Sequence, residues 1–231
     1  MHSIMSHQLR FLLISRRINF HQSAPKCNLN LAIALSRIGC EVHILTAYIE
    51  DKGLKTLKTY GIAVHAIKPY YASKYAAPVF CTFLAKRLKE KHDIDIVLGN
   101  GYTLYDDITW VHFPRLAWIK KARELHLNVP YKLKAEAWFE RQIFRSSRFL
   151  IAPSKLVVND LINLYGIRYK KIIHIHHGVD TDYYKPLTQI QREERRRKMG
   201  IEDKLVLLFV GEPTRKGLYI LLGEMLSLIH I

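Results

Sequence analysis

At 231 residues, with 49% hydrophobic and 24% charged side chains, the chain is long enough to bury a proper core and is neither a disordered nor a collagen-like polymer. No apolar run reaches the length of about 18 residues that a spanning helix needs, Met1–Arg10 is too polar to lead a secretory signal core, and three widely spaced cysteines (Cys27, Cys40, Cys81) fit neither a disulfide framework nor a zinc site, so a reducing cytosol is the expected home. Lys and Arg outnumber Asp and Glu by 36 to 20, a net charge of +16 that calls for a polyanion nearby: nucleic acid, an anionic membrane surface or a phosphorylated substrate.

In chain order, short Ile-, Val- and Leu-rich runs read as buried strands at Phe11–Ser15, Glu41–Thr46, Ile62–Lys68, Ile94–Leu98, Ile108–His112, Phe149–Ala152, Lys171–Ile175 and Leu205–Val210. Amphipathic segments separate them, such as Asn28–Ile38, with Leu31, Ala34, Leu35 and Ile38 on one face and Gly39 at the C-cap. Repeated β-α-β units predict an α/β fold: a Rossmann-like parallel sheet with helices on both faces, followed by the start of a second Rossmann-like domain. Ligands of such sheets bind at the carboxyl ends of the strands, which selects the loops Arg16–Pro25, Gly99–Asp107, His112–Arg115, Ser154, His176–Asp180 and Gly211–Lys216. The change of composition around Pro186 sets the expected junction, giving domains 1–185 and 186–231. The closing string Leu226–Ile231 has the look of translated sequencing adapter.

Two loops carry the clearest chemistry. In His177–Pro186, Gly178 permits a close backbone approach to a ligand, and the acidic residues after it can fix a turn through backbone amides. In Phe209–Gly217, Gly211 and Glu212 precede Arg215 and Lys216 at a helix start, where side-chain cations and N-terminal amides together favour a diphosphate. A solvated helix start is the plain alternative.

The strand Gly39–Thr46, Glu140-Arg141 on a helix, Ile151-Ala152-Pro153-Ser154 with Tyr165-Gly166-Ile167, the HGVDTDYYKP segment and FVG with RKG follow one another in an order similar to glycosyltransferase family 4. Within it, Trp138–Ser147 and the RKG turn resemble lipopolysaccharide-core hexosyltransferases. The resemblance implies a GT-B architecture: an N-terminal acceptor domain, a C-terminal donor domain truncated here, and retaining transfer of a hexose from a nucleotide-diphosphate sugar to a lipid- or glycan-linked hydroxyl. Arg215 and Lys216 then neutralise the donor diphosphate, His112 faces the transferred sugar, and Gly178, Val179, Gly211 and Glu212 lie in cleft loops. No permanently bound cofactor and no metal are expected, the nucleotide sugar being a co-substrate. The family's Gly-Gly turn after the first strand is absent from Asn19–Lys26, where Ser23 and Lys26 offer a hydroxyl and a cation instead. Because most of the donor half is missing, the chain alone is expected to be inactive.

Other constellations have plainer readings. Asp106 and Asp107 are adjacent on an extended loop and point to opposite sides, which favours turn and capping roles over paired catalysis. His174, His176 and His177 lack a neighbouring Cys or carboxylate ligand, which argues against a metal. Arg192–Lys198 is interleaved with Glu193 and Glu194, as on a solvated helix. Arg115–Arg148 mixes Lys120, Lys121, Arg123, Lys132, Lys134, Arg141, Arg145 and Arg148 with Trp118, Tyr131, Trp138, Phe139 and Phe144, which suits either an anionic lipid surface or a half-buried helix pair with a basic face. A protein peripheral to the cytoplasmic membrane follows from the first. The rival to the enzyme is a non-enzymatic basic module on membrane or nucleic acid, although no nucleic-acid fold signature is present and no nucleic-acid partner is expected.

Overall fold

The computed structural model describes residues 8–21, 23–67, 77–211, 213 and 217–229. It separates into two compact units, Met1–Gly178 and Val179–Ile231. The division falls seven residues before the Pro186 junction expected from composition.

The first unit carries strands β1 (Arg10–Ile18), β2 (Glu41–Ile49), β3 (Ala63–Ala66), β4 (Ile96–Gly99), β5 (Ile108–Trp110), β6 (Phe149–Ala152) and β7 (Ile172–His174). Its helices are α1 (Ser23–Arg37), α2 (Asp51–Thr59), α3 (Ala77–Lys91), α4 (Arg115–Glu124), α5 (Tyr131–Ser146) and α6 (Lys155–Asn163). The strands form one sheet in the order β3-β2-β1-β4-β5-β6-β7, and every neighbouring pair is parallel. This is a Rossmann-like sheet, as the repeated β-α-β units predict.

The alternation of the strands explains the two layers of helices. Along β1, Leu12 and Ile14 pack on one face with Cys81 and Ala85 of α3, while Leu13 packs on the other with Leu29 and Ala32 of α1. Along β2, Leu45 joins the first group and Val42 and Ile44 the second. Both faces of the central strands are therefore apolar, as in parallel sheets covered by crossover helices. A third cluster seats Ile143 and Phe144 of α5 against Leu150, Ala152, Leu161 and Tyr165.

Helix ends are set by local chemistry. α1 begins earlier than the apolar pattern suggests and runs through Pro25, which an initial turn tolerates because its first N–H groups have no helical partner. It stops where Gly39 takes φ +88°, and Cys40 N–H bonds back to Leu35 O. In α6, the Ser154 hydroxyl accepts Val157 N–H at 3.2 Å.

In the second unit, α7 (Gln189–Lys198) opens on a capping box of Thr188 and Gln191, and α8 spans Leu218–Ile229. Leu205–Val210, expected as a strand, is irregular, and among the described residues this unit contains no strand. An apolar run becomes a strand only when a neighbour accepts its backbone hydrogen bonds. Among the described residues, no helix is long and apolar enough to cross a membrane.

Candidate functional site

The strand order reverses direction between β1 and β4, and a parallel sheet opens a crevice at such a switch point. A cleft of about 630 Å³ lies there. Ser15, Arg16 and Arg17 line it from the end of β1, Asn100, Gly101 and Tyr102 from the loop after β4, and Val111, His112, Phe113 and Arg115 from the loop after β5. α1 supplies Ala24, Pro25 and Asn28, and α5 supplies Glu140 and Phe144.

The walls of the cleft are held by buried polar contacts. Asn28 Nδ2 donates to Ser15 Oγ at 2.8 Å, and Ser15 Oγ donates to Arg17 O at 2.8 Å, which ties α1 to the end of β1. Glu140, only 3% exposed, accepts Arg115 Nη1 at 2.5 Å, Arg115 N–H at 2.9 Å and the Tyr165 hydroxyl. The Tyr165 oxygen in turn accepts Leu116 N–H at 2.9 Å. Burial pushes the Glu140 carboxyl up, while Arg115 and Tyr165 pull the other way. On Arg115, burial pulls the pKa down, but Glu140 and Glu136 together outweigh it and raise it. This buried ion pair holds the start of α4, and with it the β5 loop, against α5.

His112 sits in an aromatic stack. Its ring lies 4.7 Å from Trp110 and 5.1 Å from His177, the two histidines being nearly parallel at 15°. Burial, aided by His177, pushes His112 down to about 4, so its ring is neutral at pH 7 and offers one donor and one acceptor. Three residues of the cleft lining carry a buried polar atom with no hydrogen-bond partner among the described residues: Asn100 Nδ2, Tyr102 Oη and His112 Nε2. Folded proteins satisfy most such atoms, so three around one cleft make it the candidate place for a polar ligand.

Other expected residues lie elsewhere. Ser23 is exposed and Lys26 half-buried, and neither lines the cleft. The α1 contribution comes from Ala24, Pro25 and Asn28, on one side of the helix, a face that excludes Ser23 and Lys26. Gly178 does not adopt positive φ, and a Cβ there would meet nothing. Val179 is exposed, and Gly211 takes φ +136°. Glu212, Arg215 and Lys216 lie outside the described residues. Asp180 accepts the N–H groups of Asp182 and Tyr183, both at 3.0 Å, as expected of a side chain fixing that turn.

Asp106 and Asp107 do point apart. Asp106 is buried and accepts the Thr103 and Thr109 hydroxyls, the latter at 2.9 Å. Asp107 accepts Val97 N–H at 2.8 Å and pairs with Lys89 at 3.0 Å. His174, His176 and His177 are all exposed; His176 bonds to Pro153 O and His177 stacks on His112. On α4 and α5, Phe144 is core, whereas Tyr131 and Trp138 are exposed among the basic residues.

Asn100, Tyr102 and Arg115 escaped the residue-level reading, although their loops were selected by the strand-end rule. Glu140 had a visible signal: with Ala137, Ile143 and Phe144 it forms an i, i+3, i+4 stripe, and a carboxylate on such a stripe needs a buried partner.

A family model described as Glycosyltransferase Family 4 matches residues 26–183. The mannosylfructose-phosphate synthase of Agrobacterium fabrum is 29% identical over 119 residues, which cover 48% of this chain and 26% of that protein. Among solved structures, WaaG, a glycosyltransferase involved in lipopolysaccharide biosynthesis, superposes with a TM-score of 0.63 at 15% identity, over 84% of this chain and 52% of that one. HepE of Anabaena, solved in complex with UDP and glucose, gives 0.61 at 15% identity, over 94% and 57%. The chain thus spans about a quarter of the curated relative and little more than half of the solved ones.

Proposed function

The chain belongs to glycosyltransferase family 4, and on that premise we propose that it is the acceptor-binding part of an enzyme transferring a hexose, with retention, from a nucleotide-diphosphate sugar to a lipid- or glycan-linked hydroxyl. The observation that carries the reading is the switch-point cleft with Asn100 Nδ2, Tyr102 Oη and His112 Nε2, which have no hydrogen-bond partner among the described residues. A sugar presents a dense array of hydroxyls, and each both donates and accepts. An amide, a phenol and a neutral imidazole match that array without the desolvation cost of burying a charge.

His112 holds a hydroxyl at the reacting centre, its ring kept in place by Trp110 and His177. Arg215 and Lys216 take the donor diphosphate, where their charge meets the negative charge that accumulates on the leaving nucleoside diphosphate. Gly178, Val179, Gly211 and Glu212 belong to the loops facing the donor, and no metal is assigned to the transfer step. The exposed Tyr131 and Trp138, among the exposed Lys120, Lys121, Arg123 and Lys134, suit a membrane bearing anionic headgroups, on the cytoplasmic face where lipid-linked acceptors are extended.

The 231-residue chain alone is expected to bind acceptor without transferring sugar. The test is binding of the chain to a panel of glycans and glycolipids, with UDP- and GDP-hexoses followed for release of nucleoside diphosphate. The expected outcome is saturable binding of one acceptor class, weakened at least about tenfold in both Tyr102→Phe and His112→Ala, as loss of a buried hydrogen bond implies. Failure of every glycan and glycolipid to bind would overturn the proposal.

A further inference from the structure

The edge of the sheet formed by β2 and β3 holds a second group of converging polar side chains. His43 of β2 and His65 of β3 share one face, since His65 pairs in register with Leu45, two residues along from His43. His92, just past the end of α3 and still bonded through its N–H to Leu88 O, closes over them. Their imidazole rings lie 4.5–5.4 Å apart, and one nitrogen of each falls within 4.8 Å of the others.

We propose that His43, His65 and His92 form a binding site for a zinc-type divalent cation, with Glu41 as the carboxylate that orients His43. The protonation pattern favours it. Glu41 Oε1 lies 2.9 Å from His43 Nε2, and a carboxylate only accepts, so Nε2 carries the proton and the Nδ1 lone pair faces the cluster. His43 Nδ1 lies 2.9 Å from His65 Nε2. Carboxylate, histidine and metal in this sequence are a recurrent way of fixing a ligand ring. Arg10 anchors Glu41 in turn at 3.3 Å.

His92 supplies the second observation. Its Nε2 is buried and has no hydrogen-bond partner among the described residues.

The geometry needs little adjustment. Zinc–nitrogen bonds of about 2.1 Å at tetrahedral angles put ligand nitrogens about 3.4 Å apart, so the 2.9 Å His43–His65 pair opens slightly and the ligand atoms, now within 4.8 Å of one another, draw together. Without metal, His65 Nε2–H donates to His43 Nδ1. On binding, that proton passes to His65 Nδ1, the cation takes its place, and no proton is released. Three protein nitrogens leave a fourth position for water. The site joins β2, β3 and the end of α3, so occupancy braces the edge of the sheet.

The test uses untagged, chelator-treated full chain titrated with Zn²⁺ alone and with Co²⁺ alone. One equivalent should bind per chain, Co²⁺ should give the visible bands of a low-symmetry nitrogen site, and the thermal midpoint should rise with Zn²⁺. Glu41→Gln should weaken Zn²⁺ binding roughly 10–100-fold, and His92→Gln by at least as much, while a His174→Asn, His176→Asn double variant binds like wild type. X-ray absorption of the Zn²⁺-loaded wild-type chain should show three imidazole nitrogens, independently of how any variant folds. Absence of stoichiometric binding, or Zn²⁺ affinity unchanged in both Glu41→Gln and His92→Gln, overturns the proposal.

Discussion

Phe11–Ser15 and Leu205–Val210 are nearly interchangeable as strings of apolar residues, yet they end in opposite states. The first lies inside a nine-residue interior strand of a seven-stranded sheet, with Leu12 fully buried. The second forms no strand, and Leu205 is 91% and Leu208 84% exposed. β-propensity is therefore permission and not instruction. Strand formation depends on neighbours that accept the backbone hydrogen bonds and helices that cover the faces. β1 has β2 and β4 beside it with α1 and α3 above and below, whereas Leu205–Val210 has no strand partner within the described residues of its unit.

Amide hydrogen exchange puts this contrast under the most direct test. The amides of Leu12–Ile14 should open only with global unfolding and those of Leu205–Val210 should exchange freely, a difference of at least about a thousandfold in rate. Comparable protection in the two runs, read by mass spectrometry of the intact chain, would break the comparison.

Charge pairs sharpen it further. Glu140→Gln leaves Arg115 without its buried counter-ion and should cost about 3 kcal/mol, while Glu194→Gln, in the exposed Glu194–Lys198 pair of α7, should cost about 0.5 kcal/mol or less. Trp110, Trp118 and Trp138 all lie in the first unit, so denaturant unfolding followed by tryptophan fluorescence reads the Glu140 effect in isolation, and helix loss by circular dichroism, which includes α7, reads the Glu194 effect. Equal costs would mean that burial does not separate the two pairs.

A smaller effect is expected at two glycines. A Cβ at Gly99 would overlap the Asp106 carboxylate, whereas at Gly178 it would meet nothing. Gly99→Ala should therefore destabilise by about 1–3 kcal/mol and Gly178→Ala by less than about 0.5 kcal/mol, measured by the same unfolding assay. Gly178→Ala then becomes a clean probe of ligand approach, because any loss of binding is free of a folding defect.

These contrasts also show what the sequence made legible. All seven strands of the first unit announce themselves as apolar runs, most plainly the interior strands β1 and β2, which are buried on both faces and so show no polar alternation. The site was legible at the level of loops: the rule that ligands gather at strand ends selects the segments holding Arg16, Asn100, Tyr102 and His112. Which side chains of those loops turn inward was not legible, because it depends on the angle at which α1 and α5 cross the sheet. On α1 the cleft-facing residues are Ala24, Pro25 and Asn28, while Ser23 and Lys26 fall on other sides of the helix. The cluster of His43, His65 and His92 was invisible for another: its members are 22 and 27 residues apart, and only β2–β3 pairing and the end of α3 bring them together.

Two buried titratable groups in the first unit give the contrast a pH dependence of opposite signs. Asp106 is pushed up to about 7 by burial, against hydrogen bonds from Thr103 and Thr109. Its folded-state pKa thus lies above the unfolded value, so the folded state binds the proton more tightly, and this contribution is full below about pH 4 and is lost as pH rises through 7. His112 is pushed down to about 4 by burial, and its neutral form favours folding above about pH 6.5, an advantage lost as pH falls through 4. Between pH 4 and 7 the two slopes oppose each other, and removing either group exposes the other. His112→Gln should make stability of the first unit fall steadily from pH 4 to 7, whereas Asp106→Asn should make it rise over the same interval. Fluorescence-detected urea unfolding at intervals of pH reads both slopes, and a slope of the wrong sign in either variant would show that the remaining group does not titrate in the folded state as its surroundings require.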